Sequence, residues 1–160
     1  MIAVRPARPN DVPAIAALAR RSWLDEFGDS VPPEAAAEEA ASRSEAYFAS
    51  ALATDTILVA DDGGAIAGFA QFDDAELHRL YVETALQGRG IGRALLEAAL
   101  EHPRLAGAER VVLQVWEQNE RAVRLYESAG FRRAGTRSFT IGSGEQVEDL
   151  VLVLDRETGR

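Results

Sequence analysis

The stretch Gln87-Gly88-Arg89-Gly90-Ile91-Gly92-Arg93 places three glycines at alternate positions, between an apolar strand-like run and an apolar helix-like run. Because glycine has no Cβ, the main-chain N–H groups of such a stretch can approach a ligand closely. The helix predicted from Ile91 to Leu100 begins with unpaired N–H groups and the positive end of its dipole. The stretch therefore predicts either an anion site or a plain strand-to-helix turn, and its spacing alone leaves both open.

Two well-known phosphate-binding loops do not match this stretch. A Walker loop ends in Gly-Lys-Ser/Thr, and the chain has no lysine, so all 17 of its basic residues are arginine. The dinucleotide fingerprint G-x-G-x-x-G fails as well, because Arg93 or Leu95 stands where the third glycine belongs. The pattern that does match is Q-x-x-G-x-G, formed by Gln87, Gly90 and Gly92.

Length and composition predict a single domain over residues 1–160, since 47% hydrophobic content supplies one well-buried core. The chain has no cysteine and only two histidines, which argues against a disulfide framework, a thiolate nucleophile and a bound metal. The longest aliphatic run, residues 150–154, is far below a membrane span, and the first residues lack the apolar segment of a signal peptide. We therefore expect a cytoplasmic protein.

The formal charge of −9 disfavours binding to nucleic acid or to an anionic membrane, because both would be repelled at long range. A cationic substrate is mildly favoured. Arginines nevertheless lie within the glycine stretch and after it, and they can give an anionic ligand a locally positive wall. They are Arg89, Arg93, Arg121, Arg124, Arg132 and Arg133.

The first half of the chain is predicted to form helices and a β-hairpin. Asp61-Asp62-Gly63-Gly64 lies between two apolar runs, and glycine and aspartate tolerate the positive φ of a hairpin turn. Asn10 is predicted to cap the first helix. The predicted elements are a strand at 2–5, the capped helix, two short helices between 33 and 53 with a break near 42–44, and antiparallel strands at 56–60 and 65–72.

The second half alternates strands and helices, which implies crossover connections between parallel strands. Combined with the hairpin, this predicts an α/β (α+β) fold with a mixed sheet of about seven strands, flanked by about four to five helices. Ser143-Gly144 is predicted to turn the chain into a last strand that closes the sheet. The predicted elements are strands at 77–82, 111–115, from 131 and at 147–154, and helices at 91–100 and 119–129.

This order of elements, together with three segments, resembles the GCN5-related N-acetyltransferase (GNAT) superfamily. The segments are Leu80-Tyr81-Val82, the stretch from Gln87 to Leu96, and Asn119 followed by 124–131. The resemblance covers nearly the whole chain. It departs from the family at Thr84, a loop position where many relatives have proline. It implies the GNAT fold in one domain and acetyl-coenzyme A (acetyl-CoA) as the cofactor.

The resemblance also implies which residues hold this cofactor. In the family, the strand matching Leu80-Tyr81-Val82 pairs through its main chain with pantetheine, and the loop matching residues 88–93 holds the pyrophosphate. Leu80 and Val82 fit an ordinary core strand equally well. The predicted cofactor-binding residues are Leu80, Tyr81, Val82, Gln87, Gly88, Arg89, Gly90, Ile91, Gly92, Arg93, Asn119 and Tyr126.

Asn119 and Tyr126 each have a structural interpretation beside the functional one. Asn119 stands at a helix start, where capping alone explains it, and the family adds a cofactor contact. Tyr126 fits the buried face of the same helix. In the family, the tyrosine at its position lies near the cofactor sulfur and protonates the departing thiolate, a role that suits a phenol with a reference pKa of about 10.

Acetyl transfer to an amine also requires that the ammonium lose a proton before it attacks. The candidate bases are Glu76, His78 and Glu83, of which Glu76 at the strand start is preferred. A solvated charge at the strand edge explains Glu76 equally well. Strand alternation would put Glu76, His78, Leu80 and Val82 on one face, unless a bulge interrupts the strand.

The acceptor side of the site is predicted at the end of the first helix, from Trp23, Glu26 and Phe27. Aromatic rings beside a carboxylate suit an amine, although Trp23 and Phe27 at helical spacing also fit an ordinary core. The adjacent Ser22 and Trp23, and the loop with Pro32-Pro33-Glu34, are similar to a family subset that includes polyamine and other small-amine acetylases.

The sequence thus predicts an acetyl-CoA-dependent N-acetyltransferase in which a small-molecule or peptide amine attacks the thioester directly. Because the chain has no cysteine, a cysteinyl intermediate is excluded. The alternative is a noncatalytic acyl-CoA-binding or regulatory module with the same fold, which the presence of Tyr126 disfavours. No metal, nucleic acid or membrane partner is expected, and the protein is expected to act as a monomer or homodimer.

Overall fold

A computed structural model describes residues 2–140, 144 and 146–156. Seven strands form one mixed sheet in the order β1-β2-β3-β4-β5-β7-β6. The strands are β1 Ile2–Pro6, β2 Thr56–Asp62, β3 Ala65–Phe72, β4 Glu76–Val82, β5 Arg110–Trp116, β6 Arg132–Thr140 and β7 Gln146–Asp155. The helices are α1 Val12–Phe27, α2 Pro33–Ala41, α3 Glu45–Thr54, α4 Ile91–Glu101, α5 Pro103–Ala106 and α6 Glu120–Ser128.

The mixed sheet, the β2–β3 hairpin and the two short helices α2 and α3 confirm the predicted fold class. The last strand, β7, does not close the sheet from outside, because it lies between β5 and β6 and runs antiparallel to both. The short helix α5 was not predicted. The predicted turn at Ser143-Gly144 lies partly outside the described residues.

The predicted cap at Asn10 was wrong by one residue. Asn10 lies within the 3-10 turn Pro9–Asp11, and Asp11 is the residue that precedes α1. The Asp11 carboxylate accepts hydrogen bonds from the Arg5 guanidinium at 2.8 and 3.0 Å and from the Arg8 amide at 2.7 Å. The bonds from Arg5 tie the start of α1 to β1, a contact between two elements that a capping pattern does not contain.

Strands β4 and β5 pair in parallel only at Glu76 with Val112 and at Leu77 with Leu113. Beyond these two pairs the strands separate, since β4 stays with β3 as far as Val82 while β5 stays with β7 as far as Trp116. Main-chain groups of β4 that would face a neighbouring strand therefore face an open gap instead. This gap is where the chain has room for a ligand.

A β-bulge interrupts β4. Its pairing with β3 runs from Gln71 with Arg79 directly to Phe72 with Leu77, so His78 is the extra residue. The bulge breaks the simple alternation that would have placed Glu76, His78, Leu80 and Val82 on one face. Leu77 is buried and His78 is exposed.

Helices cover both faces of the sheet. One apolar cluster packs α4 and α6 against the strands and includes Leu95, Leu96, Val123 and Tyr126. A second packs α1 and α3 against the sheet and includes Ile15, Leu18, Phe48 and Phe69. Among the described residues, no helix is long and apolar enough to cross a membrane.

The substitution Gly68→Ala in β3 tests how closely β3, β4 and α4 are packed. A Cβ added at Gly68 would lie 2.6 Å from the Tyr81 carbonyl oxygen and 3.0 Å from Leu95 Cδ1. Because the carbonyl belongs to a paired strand, Gly68→Ala is expected to lower the free energy of unfolding by about 2 kcal/mol in denaturant titration. Gly107→Ala is the control, since a Cβ there meets no atom within 4 Å. Equal unfolding free energies for the two variants would contradict the prediction.

Candidate active site

Two adjoining cavities open from the gap between β4 and β5. The loop cavity, of about 610 Å³, is lined by β4 and by Gln87, Gly88, Gly90, Ile91, Gly92 and Arg93. The aromatic cavity, of about 440 Å³, has walls formed by Trp23, Phe27, Tyr47, Tyr81, Trp116 and Phe139. The residues that line both cavities are Glu26, Leu80, Tyr81, Trp116, Asn119, Ala122 and Tyr126. The cavities therefore form one continuous cleft.

The loop cavity has the geometry of an anion cradle. Gly88 and Gly90 have φ of 82° and 84°, a left-handed conformation that favours glycine. A Cβ on Gly90 would meet no protein atom within 4 Å, so it would project into open space. Within the described part of the chain, the amides from 88 to 93 donate no hydrogen bond. These donors at the N-terminus of α4 fit the pyrophosphate of coenzyme A.

The positive wall of the loop cavity is smaller than the sequence predicted. Arg93 and Arg121 line the cavity, but Arg89, which was predicted to bind cofactor, does not. Arg124 and the arginines of β6 line neither cavity. Main-chain amides and two guanidinium groups thus provide the positive potential of the cradle.

Asn119 connects the start of α6 to the end of α1. Its Oδ1 accepts a hydrogen bond from the Ala122 amide at 3.3 Å, which confirms the predicted N-cap. Its Nδ2 donates to Glu26 Oε1 at 3.2 Å. A single side chain therefore caps the helix that carries Tyr126 and holds a carboxylate where the two cavities meet.

Two carboxylates of the cleft have raised pKa values. Burial raises the pKa of Glu26 to about 7, with a further contribution from the negative charge of Asp149, while the Asn119 hydrogen bond and the Arg43 charge act in the opposite direction. Burial also raises the pKa of Asp149 to about 6. Asp149 Oδ1 is buried and has no hydrogen-bond partner among the described residues. The sequence analysis did not identify Asp149.

Tyr126 lies on the buried face of α6 with its side chain 6% exposed, packed against Phe131 at 5.9 Å between ring centroids. Burial raises the pKa of its hydroxyl, and the charges of Glu26 and Tyr81 raise it further. None of the hydrogen bonds found among the described residues uses this hydroxyl. The group is therefore protonated at neutral pH and has a proton to donate to a ligand.

The three predicted bases differ in position. Glu76 lines the aromatic cavity only, and its Oε2 lies 3.5 Å from His78 Nδ1. His78 lines the same cavity, and its Nε2 lies 2.9 Å from Asp73 Oδ2. Glu83 lines neither cavity and pairs with Arg21 of α1. The structure therefore brings Glu76 and His78, but not Glu83, to the cleft.

The aromatic wall is continuous with the core of the protein. Trp23 and Phe27 are 5.4 Å apart between ring centroids, and Phe27 and Trp116 are 4.9 Å apart. The Arg43 guanidinium lies over the Trp23 ring at 5.1 Å, and the Arg79 guanidinium lies over the Tyr47 ring at 5.0 Å. Trp23 and Phe27 are buried, yet both line the cavity, so they are core and wall at once.

Comparison with known proteins identifies the family. Residues 13–131 match the model of the Acetyltransferase (GNAT) family. An uncharacterized N-acetyltransferase of Mycobacterium tuberculosis (strain ATCC 25618 / H37Rv) is 36% identical over 155 residues, covering 89% of this chain and 96% of that protein. The chain therefore belongs to the acetyltransferase (GNAT) family. It is an acetyl-CoA-dependent acetyltransferase.

Two further relatives extend the comparison. The L-methionine sulfoximine/L-methionine sulfone acetyltransferase of Salmonella typhimurium is 33% identical over 94 residues, covering 53% of this chain and 55% of that protein. A crystal structure of the PaiA N-acetyltransferase of Thermoplasma acidophilum in complex with coenzyme A has a TM-score of 0.81. It is 21% identical and covers 98% of this chain and 99% of that one, so it is similar in fold.

Gly90→Val tests the anion cradle. The valine side chain would fill the open space of the cradle, so the dissociation constant for coenzyme A, measured by calorimetry, is expected to rise at least about tenfold. Gly63→Val is the matched control, because Gly63 also has positive φ, 62°, and an open Cβ position but lies in the β2–β3 turn. Unaltered affinity in folded Gly90→Val would contradict the assignment.

Glu26→Gln tests the raised pKa through protein stability. The pKa of Glu26 is about 7 in the folded protein and has the ordinary value of 4.5 in the unfolded chain. The folded state is therefore most favoured by this group below pH 4.5, and its contribution to stability is lost as the pH rises through 7. The variant should therefore be more stable than wild type at pH 8, by about 3 kcal/mol, with a smaller gap at pH 5.5. Glu38→Gln, at an exposed position of α2, should show no such trend. If denaturant titrations show a difference in unfolding free energy that does not change with pH, the raised pKa of Glu26 is contradicted.

Proposed function

We propose that this acetyltransferase transfers the acetyl group of acetyl-CoA to an amine that attacks the thioester directly. The observation that carries the proposal is the continuous cleft, with main-chain donors at one end and carboxylates among aromatic rings at the other. Its two ends suit the two reactants, an anionic cofactor and a cationic acceptor. Tyr126 lines both cavities, where the two reactants would meet.

The cofactor side depends mainly on the backbone. The amides from 88 to 93 and the N-terminus of α4 would hold the pyrophosphate, and Arg93 and Arg121 would add positive charge. Main-chain groups of Leu80-Tyr81-Val82, left without a partner strand by the β4–β5 gap, would pair with pantetheine as an added strand. When bound, acetyl-CoA supplies the acetyl thioester.

Tyr126 would donate its proton to the leaving sulfur. The raised pKa keeps the hydroxyl protonated, its hydrogen-bonding capacity is free for a ligand, and it lies at the junction of the cavities. A phenol with these properties is a suitable general acid for a thiolate. Its burial excludes the bulk water that would compete for this proton.

The acceptor would be a small-molecule or peptide amine. Glu76 and Asp149 would attract its ammonium group into the aromatic cavity, and Trp23 and Phe27 would contact its apolar part. Arg79, in the same cavity, would pair with the carboxylate of an amino-acid acceptor such as L-methionine sulfone. We also propose that the protein acts in the cytoplasm, as a monomer or homodimer.

Tyr126→Phe tests the general acid. Free thiol release from acetyl-CoA is followed with L-methionine sulfone, spermidine, 2-phenylethylamine and an alanine-initiated peptide as acceptors. The variant is expected to lose about 100-fold in kcat because the proton donor is gone. Its dissociation constant for coenzyme A should stay within about twofold of wild type, since the ring and its packing are retained.

Two outcomes would contradict the proposal in different ways. Unchanged kcat in Tyr126→Phe would remove the general-acid role but leave the transfer itself intact. Tight acetyl-CoA binding by wild type without thiol release on any acceptor of the panel would instead favour a noncatalytic acyl-CoA-binding module.

A further inference from the structure

Glu26 is, among the described residues, the carboxylate that lines both cavities of the cleft. Glu76 and Asp149 line the aromatic cavity alone. Asp25 lines the loop cavity alone, and its Oδ2 accepts a hydrogen bond from Thr84 Oγ1 at 2.8 Å. A base for acetyl transfer must reach the amine at the moment it approaches the thioester, which is at the junction of the cavities. Position alone therefore separates Glu26 from the other carboxylates.

We propose that Glu26 is the catalytic residue that takes a proton from the ammonium group of the acceptor, and that Asn119 is its positioning residue. The inference rests on the proposed transfer to an amine. It assigns to the end of α1 a role that the sequence placed at Glu76 on β4.

Asn119 fixes the direction of the Glu26 carboxylate. The Asn119 side chain is held by the Ala122 amide at one end, so its Nδ2 presents a donor to Glu26 Oε1 from a fixed point. No hydrogen bond found among the described residues uses Glu26 Oε2, so this oxygen is available to the cleft. Tyr126 lies two turns after Asn119 in α6, and burial and the charge of Glu26 raise its pKa. Asn119, at the start of α6, therefore positions both the proposed proton acceptor Glu26 and the proposed proton donor Tyr126.

The groups around Glu26 set the pH at which it can act. Asp149 of β7 adds negative charge, Arg43 after α2 adds positive charge, and Asn119 donates a hydrogen bond. Burial outweighs the last two, so the pKa is raised to about 7. The other titratable or charged groups that line the two cavities are Asp25, Tyr47, Glu76, His78, Arg79, Tyr81, Arg93, Arg121 and Tyr126. A base with a pKa near the working pH is the most effective kind.

The proton transfers balance over one turnover. An N–H bond of the ammonium breaks, its electron pair stays on nitrogen, and the proton forms an O–H bond on Glu26. The nitrogen pair forms the new N–C bond, and the C–S bond breaks with its pair leaving on sulfur, which takes the Tyr126 proton. The second proton lost by nitrogen restores Tyr126, and Glu26 releases its proton to solvent, so each amide formed yields one free thiol and one proton.

The kinetic test compares pH profiles of kcat/KM for 2-phenylethylamine. Wild type should rise through an inflection near pH 7, whereas Glu26→Gln should lose this inflection and about 100-fold in kcat/KM at pH 8. Glu76→Gln should raise KM but keep the inflection, because Glu76 is proposed only to attract the ammonium. Glu38→Gln, on the exposed face of α2, should match wild type. An inflection that persists in Glu26→Gln overturns the inference.

Substitutions at two neighbours of Glu26 should shift the inflection of kcat/KM in opposite directions. A purely structural role of Glu26 would not produce these shifts. Asp149→Asn removes a negative charge beside Glu26 and should move the inflection to lower pH. Asn119→Ser keeps a helix-capping hydroxyl but removes the donor to Glu26, so the inflection should move to higher pH. Shifts in the same direction, or no shift in either variant, count against the assignment.

A readout independent of turnover is the titration of Glu26 by carbon-13 NMR of glutamate-labelled protein, with Glu26→Gln identifying the signal. The carboxyl should titrate near pH 7, and 2-phenylethylamine should lower that midpoint, because an ammonium beside it favours the ionised form. An ordinary midpoint near pH 4.5, or a midpoint unaffected by amine in an active enzyme, overturns the inference. If wild type is inactive on every acceptor, the proposed function is overturned. This result is distinct from failure of the inference about Glu26, which requires an active enzyme.

Discussion

The separation of β4 from β5 is the constraint on which the rest of the site depends. Two parallel pairs, at Glu76 and Leu77, hold the strands together before each continues with its other neighbour. Unpaired main-chain groups inside a protein are costly unless a ligand satisfies them, so the gap is stable as a binding cleft rather than as packed core. The same gap admits the glycine loop on one side and the end of α1 on the other, which is why both cavities share their lining at Tyr126 and Asn119.

The cleft also removes carboxylates from water. Glu26 and Asp149 both have raised pKa values because burial disfavours the charged form, and neither is neutralised by a close ion pair among the described residues. Such groups lower the stability of the folded protein near neutral pH. Their persistence in a site lined by aromatic rings is consistent with a cationic ligand that supplies the missing charge, since an ammonium beside them reverses the desolvation cost.

Local patterns in the sequence predicted the local structure well. The hairpin at Asp61 to Gly64, the cap at Asn119 and the start of α4 at Ile91 all depend on residues within one turn of each other. The position of β7 between β5 and β6 depends on strands far away in the chain. The bulge at His78 and the bond from Arg5 to Asp11 join residues closer in the chain, but these residues belong to different elements, and a local pattern does not contain how two elements meet. Asp149 does have a sequence signal, because it alternates with Val147 and Val151 along β7, and an acid on an otherwise apolar face is unusual.

One end of the cleft is built from main-chain groups and the other from side chains. This difference explains why the sequence is more informative about the cofactor than about the acceptor. The cofactor end uses main-chain donors whose geometry requires glycine at Gly88 and Gly90, so a short motif records it. The acceptor end uses side chains from α1, β4 and β7 and the segment after α2, brought together only by folding. A substitution at one of these positions changes the charge or shape of the cavity without disturbing the loop. The acceptor preference can therefore change while the cradle stays the same, and the motif that identifies the family carries no record of that change.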